Sequence, residues 1–132
     1  MRYMLLIYDS EENWAKMTDA ESGSIFAEYG KFTESIVKSG NMVHGNPLEP
    51  TTTATTVRVR NGKTQTTDGP FAETREQLGG FYLVEARDLD EAIGLAARIP
   101  SSRMGSVEIR PIMLLANRAS GGEPALPQHT NV

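Results

Sequence analysis

Asp68 stands in an Asp68-Gly69-Pro70-Phe71 corner. A carboxylate beside a cleft there would serve as a general base or anchor a ligand. The same residue type also folds back on backbone amides to fix a turn, which gives Asp68 a purely structural reading. His44, the lone histidine before residue 116, is the second candidate for proton transfer. Its place between Val43 and Gly45 equally suits a hydrogen-bonded histidine on a partly buried strand. Arg58 and Arg60 share one strand face, because side chains alternate with period two. Together they could clamp an anionic small molecule or simply face solvent, and Arg110 poses the same choice. Tyr82, between Phe81 and Leu83, could present its hydroxyl to an internal cleft. Tyr29 lies on an apolar helix stripe and reads as core with its hydroxyl at the edge.

Other chemistries lack their residues. The chain has no cysteine, which removes disulfides, thiolate nucleophiles and cysteine-held zinc. His44 and His129 are too far apart to supply metal-ligand spacing. Gly79-Gly80 precedes a strand, whereas phosphate loops open a helix. No Ser-His-Asp or Gly-rich nucleotide motif is present, so neither metal nor cofactor is expected. The net charge is −4 and the basic residues are scattered, which argues against nucleic acid as a direct partner. No apolar run approaches the roughly 20 residues of a membrane span, and the N-terminus lacks a signal peptide's apolar region and cleavage site. A cytoplasmic location is expected, and the absence of cysteine agrees with it.

The positioning elements follow from periodicity. Tyr3 to Tyr8 reads as a buried strand, and Glu11 to Lys16 as a short helical turn carrying Trp14. Thr18 to Glu21 has the form of a capping box. Ile25, Phe26, Tyr29, Phe32, Thr33, Ile36 and Val37 then mark one face of a helix that stops at Gly40. Met42 to Leu48 forms a second strand. Thr56 to Arg60 and Lys63 to Thr66 flank Asn61-Gly62 as a hairpin with a type I′ turn. Ala72 to Leu78 suggests one or two helical turns before a strand from Phe81 to Glu85. Asp88 to Glu91 resembles a second capping box, with Leu89, Ala92, Ile93 and Ala96 as the inner face of its helix. Ser106 to Leu115 is the last strand, and Pro111 places it at an edge or a bulge. Residues 116–132 read as a flexible tail, leaving one domain over residues 1–115.

Two strand–helix–strand units in this order predict an α+β, ferredoxin-like sandwich with both helices on one face of the sheet. The other face needs a cover. A second copy of the chain is the simplest one, so a homodimer is expected.

Arg2 to Tyr8, Ala54 to Arg60, Thr67 to Thr74, Gln77 to Tyr82 and Arg98 to Pro100 together resemble YCII-related proteins of the DGPF-domain type over roughly Met1 to Leu115. The resemblance implies a dimeric α/β barrel and no settled activity. Some such proteins are encoded beside, or fused to, extracytoplasmic-function sigma factors. Other branches carry a His on the first long helix and an Asp just before a Pro after the second, proposed as an acid–base pair. Here that helix reads Ala27-Glu28-Tyr29-Gly30-Lys31, and Ile99 precedes Pro100, so the pair does not carry over. Three functions stay open. The first is a small-molecule enzyme or ligand-binding domain using a cleft of the barrel, with Asp68 and His44 as catalytic candidates and Arg58, Arg60 and Tyr82 as ligand-binding ones. The second is a non-enzymatic interaction module linked to a sigma factor. The third is a protein whose task is assembly.

Overall fold

Strand β1 (Arg2–Asp9) sets the inside and outside of the molecule, because its side chains alternate strictly along the strand. Tyr3, Leu5, Ile7 and Asp9 are buried on one side, while Met4, Leu6 and Tyr8 are half-buried on the other. The computed structural model describes residues 1–115. The flexible tail expected for residues 116–132 lies outside the described residues.

Helix α1 (Glu11–Ala15) is a single turn capped by Ser10, whose hydroxyl accepts from the Asn13 amide. Helix α2 (Asp19–Lys38) begins at the expected capping box. The Thr18 hydroxyl accepts from the Glu21 amide at 3.1 Å, and the Glu21 carboxylate accepts from the Thr18 amide at 2.8 Å. Only the centre of the expected apolar stripe is interior. Phe32 and Ile36 are buried, while Phe26 and Val37 at its margins are exposed.

Strand β2 (Met42–Pro47) follows, then β3 (Thr55–Arg60), β4 (Lys63–Asp68) and β5 (Gln77–Glu85). The β3–β4 turn has φ 53° at Asn61 and 74° at Gly62, the paired positive values of the type I′ turn. No helix forms over Ala72 to Leu78. Gln77 and Leu78 open β5 instead, because they pair with Asp9 and Tyr8 and long-range pairing outweighs a weak local preference. Helix α3 (Leu89–Ala97) starts at Asp88, whose carboxylate accepts from the Glu91 amide. The second half of that capping box is displaced by one residue, since Glu91 accepts from the Arg87 amide. The buried face of α3 is Ala92, Leu95 and Ala96, with Leu89 and Ile93 exposed. A 3₁₀ turn (Pro100–Arg103) leads to β6 (Ser106–Pro111).

The fold is α+β, with three α-helices and two antiparallel sheets among the described residues, and it closes no barrel. The main sheet has the order β2-β5-β1-β6, and β3 pairs only with β4. Pro111 therefore sits on an edge strand, as its missing amide requires. The core lies between the sheet and the helices, where Leu5, Ile36, Val84 and Ile99 are wholly buried. The β1–β5 register steps from Ile7↔Gly80 to Tyr8↔Leu78, so Gly79 is an extra residue in β5.

Candidate functional site

Three side chains from three parts of the chain meet where β1 ends. Asp9 is the last residue of β1, Tyr29 lies on α2, and Ser101 lies in the 3₁₀ turn after α3. The Ser101 hydroxyl donates to Asp9 Oδ2 at 2.6 Å, which directs the Tyr29 hydroxyl to donate to Ser101 Oγ at 2.5 Å. Asp9 is only 9% exposed and Ser101 fully buried. Asp9 Oδ1 is buried with no hydrogen-bond partner, a costly condition for a charged oxygen.

Local sequence explains how Ser101 arrives there. Ile99 is fully buried and anchors the turn, Pro100 opens it, and the Met104 and Gly105 amides both bond the Ser101 carbonyl. Gly105 lets this turn close on β1. A Cβ at that position would lie 2.1 Å from the Tyr8 carbonyl oxygen and 2.7 Å from Asp9 Oδ1.

The electrostatics follow from burial. Desolvation raises the Asp9 pKa above its usual value; the Ser101 hydroxyl and the Trp14 indole draw it back, and the charge of Glu76 adds to the rise. Tyr29 is pushed up to about 12, first by desolvation, with the Ser101 bond opposing and the Asp9 charge adding. Tyr29 therefore keeps its proton, and Asp9 is the base at the other end of the chain. An acid with a raised pKa linked by hydroxyls to a partly exposed phenol can move a proton between interior and surface.

An open depression of about 290 Å³ is lined by Glu28, Lys31, Phe32, Arg98 and Pro100, and not by Tyr29, Ser101 or Asp9 themselves. Glu28 and Pro100 are the chain neighbours of Tyr29 and Ser101. Arg98 sits 5.3 Å over the Phe32 ring and bonds the Ser35 hydroxyl. Glu28 is paired with Arg103 at 2.7 Å, so its charge is largely offset and Lys31 and Arg98 give the depression a cationic wall.

The sequence-derived candidates are dispersed. Asp68 is exposed at the end of β4, and its carboxylate makes no hydrogen bond among the described residues. Its corner is held by the Gly69 amide on the Ala54 carbonyl at 2.7 Å and by the Thr56 hydroxyl on the Gly69 carbonyl at 2.8 Å. Gly69, with φ 100°, supplies the conformation that the corner needs. His44 is exposed on the edge strand β2, 3.2 Å from Asn46 Nδ2 and beside Phe81. Arg58 and Arg60 do share a face of β3, but both are exposed, and Arg60 bonds only its neighbour's carbonyl. Tyr82 faces the helices rather than an internal cleft of the sheet's open side. It pairs with Leu5 and follows the same strand parity, and its hydroxyl meets Thr33 Oγ1 at 2.7 Å. No hydrogen bond or ion pair joins any two of these five residues, and among the described residues no cluster of His, Cys, Asp and Glu could hold a metal ion.

A second polar network lies at the same end of β1. Glu11 accepts from the Thr51 amide at 2.8 Å and the Thr51 hydroxyl at 2.7 Å, and its own amide donates to Gln77 Oε1 at 2.9 Å. Thr51 and Gln77 line a depression of about 230 Å³ with Pro70, Ala72, Glu73 and Thr74. Sequence reasoning missed Asp9, Ser101 and Glu11. Only Asp9 gave a signal, as the acid that continues the inward parity of Tyr3, Leu5 and Ile7.

The YCII-related domain matches residues 1–116. The chain belongs to the YCII-related family. An uncharacterised protein of Rhizobium meliloti (strain 1021) is 36% identical over 116 residues, covering 86% of this chain and 94% of that one. This YCII-related chain has no helix, among its described residues, long and apolar enough to cross a membrane.

Proposed function

We propose that this YCII-related chain is a small-molecule enzyme or ligand-binding domain, in which Tyr29, Ser101 and Asp9 pass a proton to or from a small anionic molecule. The observation that carries this is the continuous Tyr29–Ser101–Asp9 chain, with bonds of 2.5 and 2.6 Å ending on a buried carboxylate. A buried acid with an orphan oxygen costs stability, and such costs concentrate at working sites. In the acid direction Tyr29 gives its proton to the bound molecule, takes the Ser101 proton, and Ser101 takes the proton of the Asp9 carboxylic acid. The base direction is the reverse. Lys31 and Arg98 supply the charge that holds an anion at the neighbouring depression.

The same reading takes the protomer as a ferredoxin-like sandwich that doubles into a dimeric α/β barrel. Its support is the sheet side bearing Met4, Leu6, Tyr8, Phe81 and Leu83, which are half-buried in the protomer and on the side away from the helices. A second copy of the sheet would cover them.

A thermal-shift screen of small carboxylates and phosphate esters tests the site, because a ligand stabilises the folded state by mass action. At least one anion should raise the melting temperature of the wild type and fail to do so with Lys31→Ala. Hits that shift both proteins equally place the ligand elsewhere. A hit lost in Asp68→Asn instead moves the site to the corner at Gly69-Pro70. Light scattering at micromolar concentration tests the dimer, and a monomer mass rejects it.

A further inference from the structure

The β3–β4 hairpin has good geometry and, among the described residues, little packed against it. Of its strand residues only Thr56 is even half-buried, and among the described residues β3 and β4 hydrogen-bond to no other strand. An isolated two-stranded hairpin is at best marginally stable in water, so a regular one implies a cover.

The two faces of the hairpin differ. Val57 and Val59 lie opposite Thr66 and Thr64 on a face that is β-branched throughout that stretch. Each valine is 59% exposed. Arg58 and Arg60 lie opposite Gln65 and Lys63 on a face that is polar and cationic. Close to the root, Phe71 is 78% exposed. Apolar side chains gathered on one protruding element mark an interaction surface rather than scattered surface residues.

Charge says what the partner is. The arm from Thr55 to Asp68 carries three cations and one carboxylate, a net of +2. The whole chain is −4, so the remainder of the chain is −6. A basic arm on an acidic body is complementary to another copy of the same body, and such complementarity steers and orients association. The acidic body also disfavours a polyanion such as nucleic acid near the arm.

We propose that the β3–β4 arm is an inter-subunit clasp, each copy laying its Val57–Val59 face on the other. The proposal rests on the dimer of the preceding section and deepens it by assigning the hairpin a task there. A clasp of this kind follows the isologous rule, in which the same contact is made twice about the two-fold axis.

The test is the dimer dissociation constant of wild type and of a Val57→Glu, Val59→Glu double variant, measured by sedimentation. The variant should raise the constant by roughly tenfold or more, since two apolar contacts are lost and acidic groups face an acidic body. Its far-UV circular dichroism should show the body still folded, because neither valine belongs to the buried core of its own protomer. As a second measurement, the wild type is compared by hydrogen exchange above and below its dissociation constant. The amides of β3 and β4 should be markedly better protected in the dimer than in the monomer. A wild type that is monomeric throughout overturns the dimer itself and the clasp with it. A dimeric wild type whose double variant associates equally well, and whose hairpin amides exchange alike at both concentrations, leaves the dimer standing and overturns the clasp alone. That outcome would assign the arm to a different protein or to none.

Discussion

The Asp9 end of β1 and the β3–β4 arm are made under opposite conditions. At Asp9, local geometry is irregular: a bulge in β5, a 3₁₀ turn and a glycine with no room for a methyl group, yet every element is packed. Along the arm, register and turn are regular and almost nothing is buried. Regular backbone therefore measures local preference, whereas burial measures what the rest of the molecule requires. In this chain the first region holds the polar chemistry and the second presents a surface.

The contrast can be broken by substitution, and Gly105→Ala should be the most damaging. Its new methyl would stand 2.1 Å from the Tyr8 carbonyl oxygen, so the 3₁₀ turn must move away from β1. A loss of about 3 kcal/mol in urea denaturation is expected; a change under about 0.5 kcal/mol, the range of an ordinary surface site, would show that the end of β1 is looser than its geometry.

Ser101→Ala comes next. It removes the link between Tyr29 and Asp9 and leaves a buried acceptor without its donor, for about 2 kcal/mol. Tyr29→Phe removes only the outer bond and should cost about 1 kcal/mol. Equal losses would mean that the three hydroxyl and carboxyl groups do not act as a chain.

Asp9→Asn sharpens the electrostatic side. The folded-state pKa of Asp9 is raised from 3.8, so the native state binds more protons than the unfolded chain above that value. The stability associated with protonated Asp9 is fully present below pH 3.8 and is lost as pH rises through the folded value. Asn does not titrate. The wild type should match Asp9→Asn at acid pH and fall below it toward neutrality, as read from paired melts across pH. Parallel curves would show that burial does not govern this carboxyl.

Gly62→Val should give the smallest global effect. A β-branched residue resists the φ of 74° and costs the hairpin roughly 1–2 kcal/mol. In the isolated protomer that cost stays local, because the arm supports no core residue. Hairpin amides should exchange faster while the protomer's melting temperature hardly moves. A matching global loss would show that arm and body unfold together.

What was legible in the sequence followed how local its cause was. Thr18 and Glu21 are three residues apart and their capping box forms as read, and Asn61-Gly62 produces the turn its φ preference demands. Ala72 to Leu78 was misread as helical because Gln77 and Leu78 are claimed by β1, nearly 70 residues earlier in the chain. The stripe on α3 was displaced toward Leu95, since the sheet decides which face is inner. The Ser101–Asp9 bond spans 92 residues, and no spacing rule connects such a pair. Asp68, His44, Arg58 and Arg60 were conspicuous because they stand in conspicuous local contexts. Asp9 and Ser101 gain their chemistry only from being enclosed.

The extra residue at Gly79 has a consequence for changes of chain length. It keeps Leu78 on the side of Tyr8 and turns Gln77 to the side of Asp9, where its amide receives the Glu11 N–H. Deleting one glycine would erase the bulge and leave both side chains where they are, whereas a one-residue slip that paired Gly79 with Tyr8 would exchange them. A leucine would then turn in among the acids at the end of β1, and a glutamine would turn out onto the apolar side. Insertions and deletions in sheets are usually read as loop events. Here a single-codon loss inside a strand is absorbed by the bulge, and it is a slip of register with no residue lost that would rewire the polar end of the molecule.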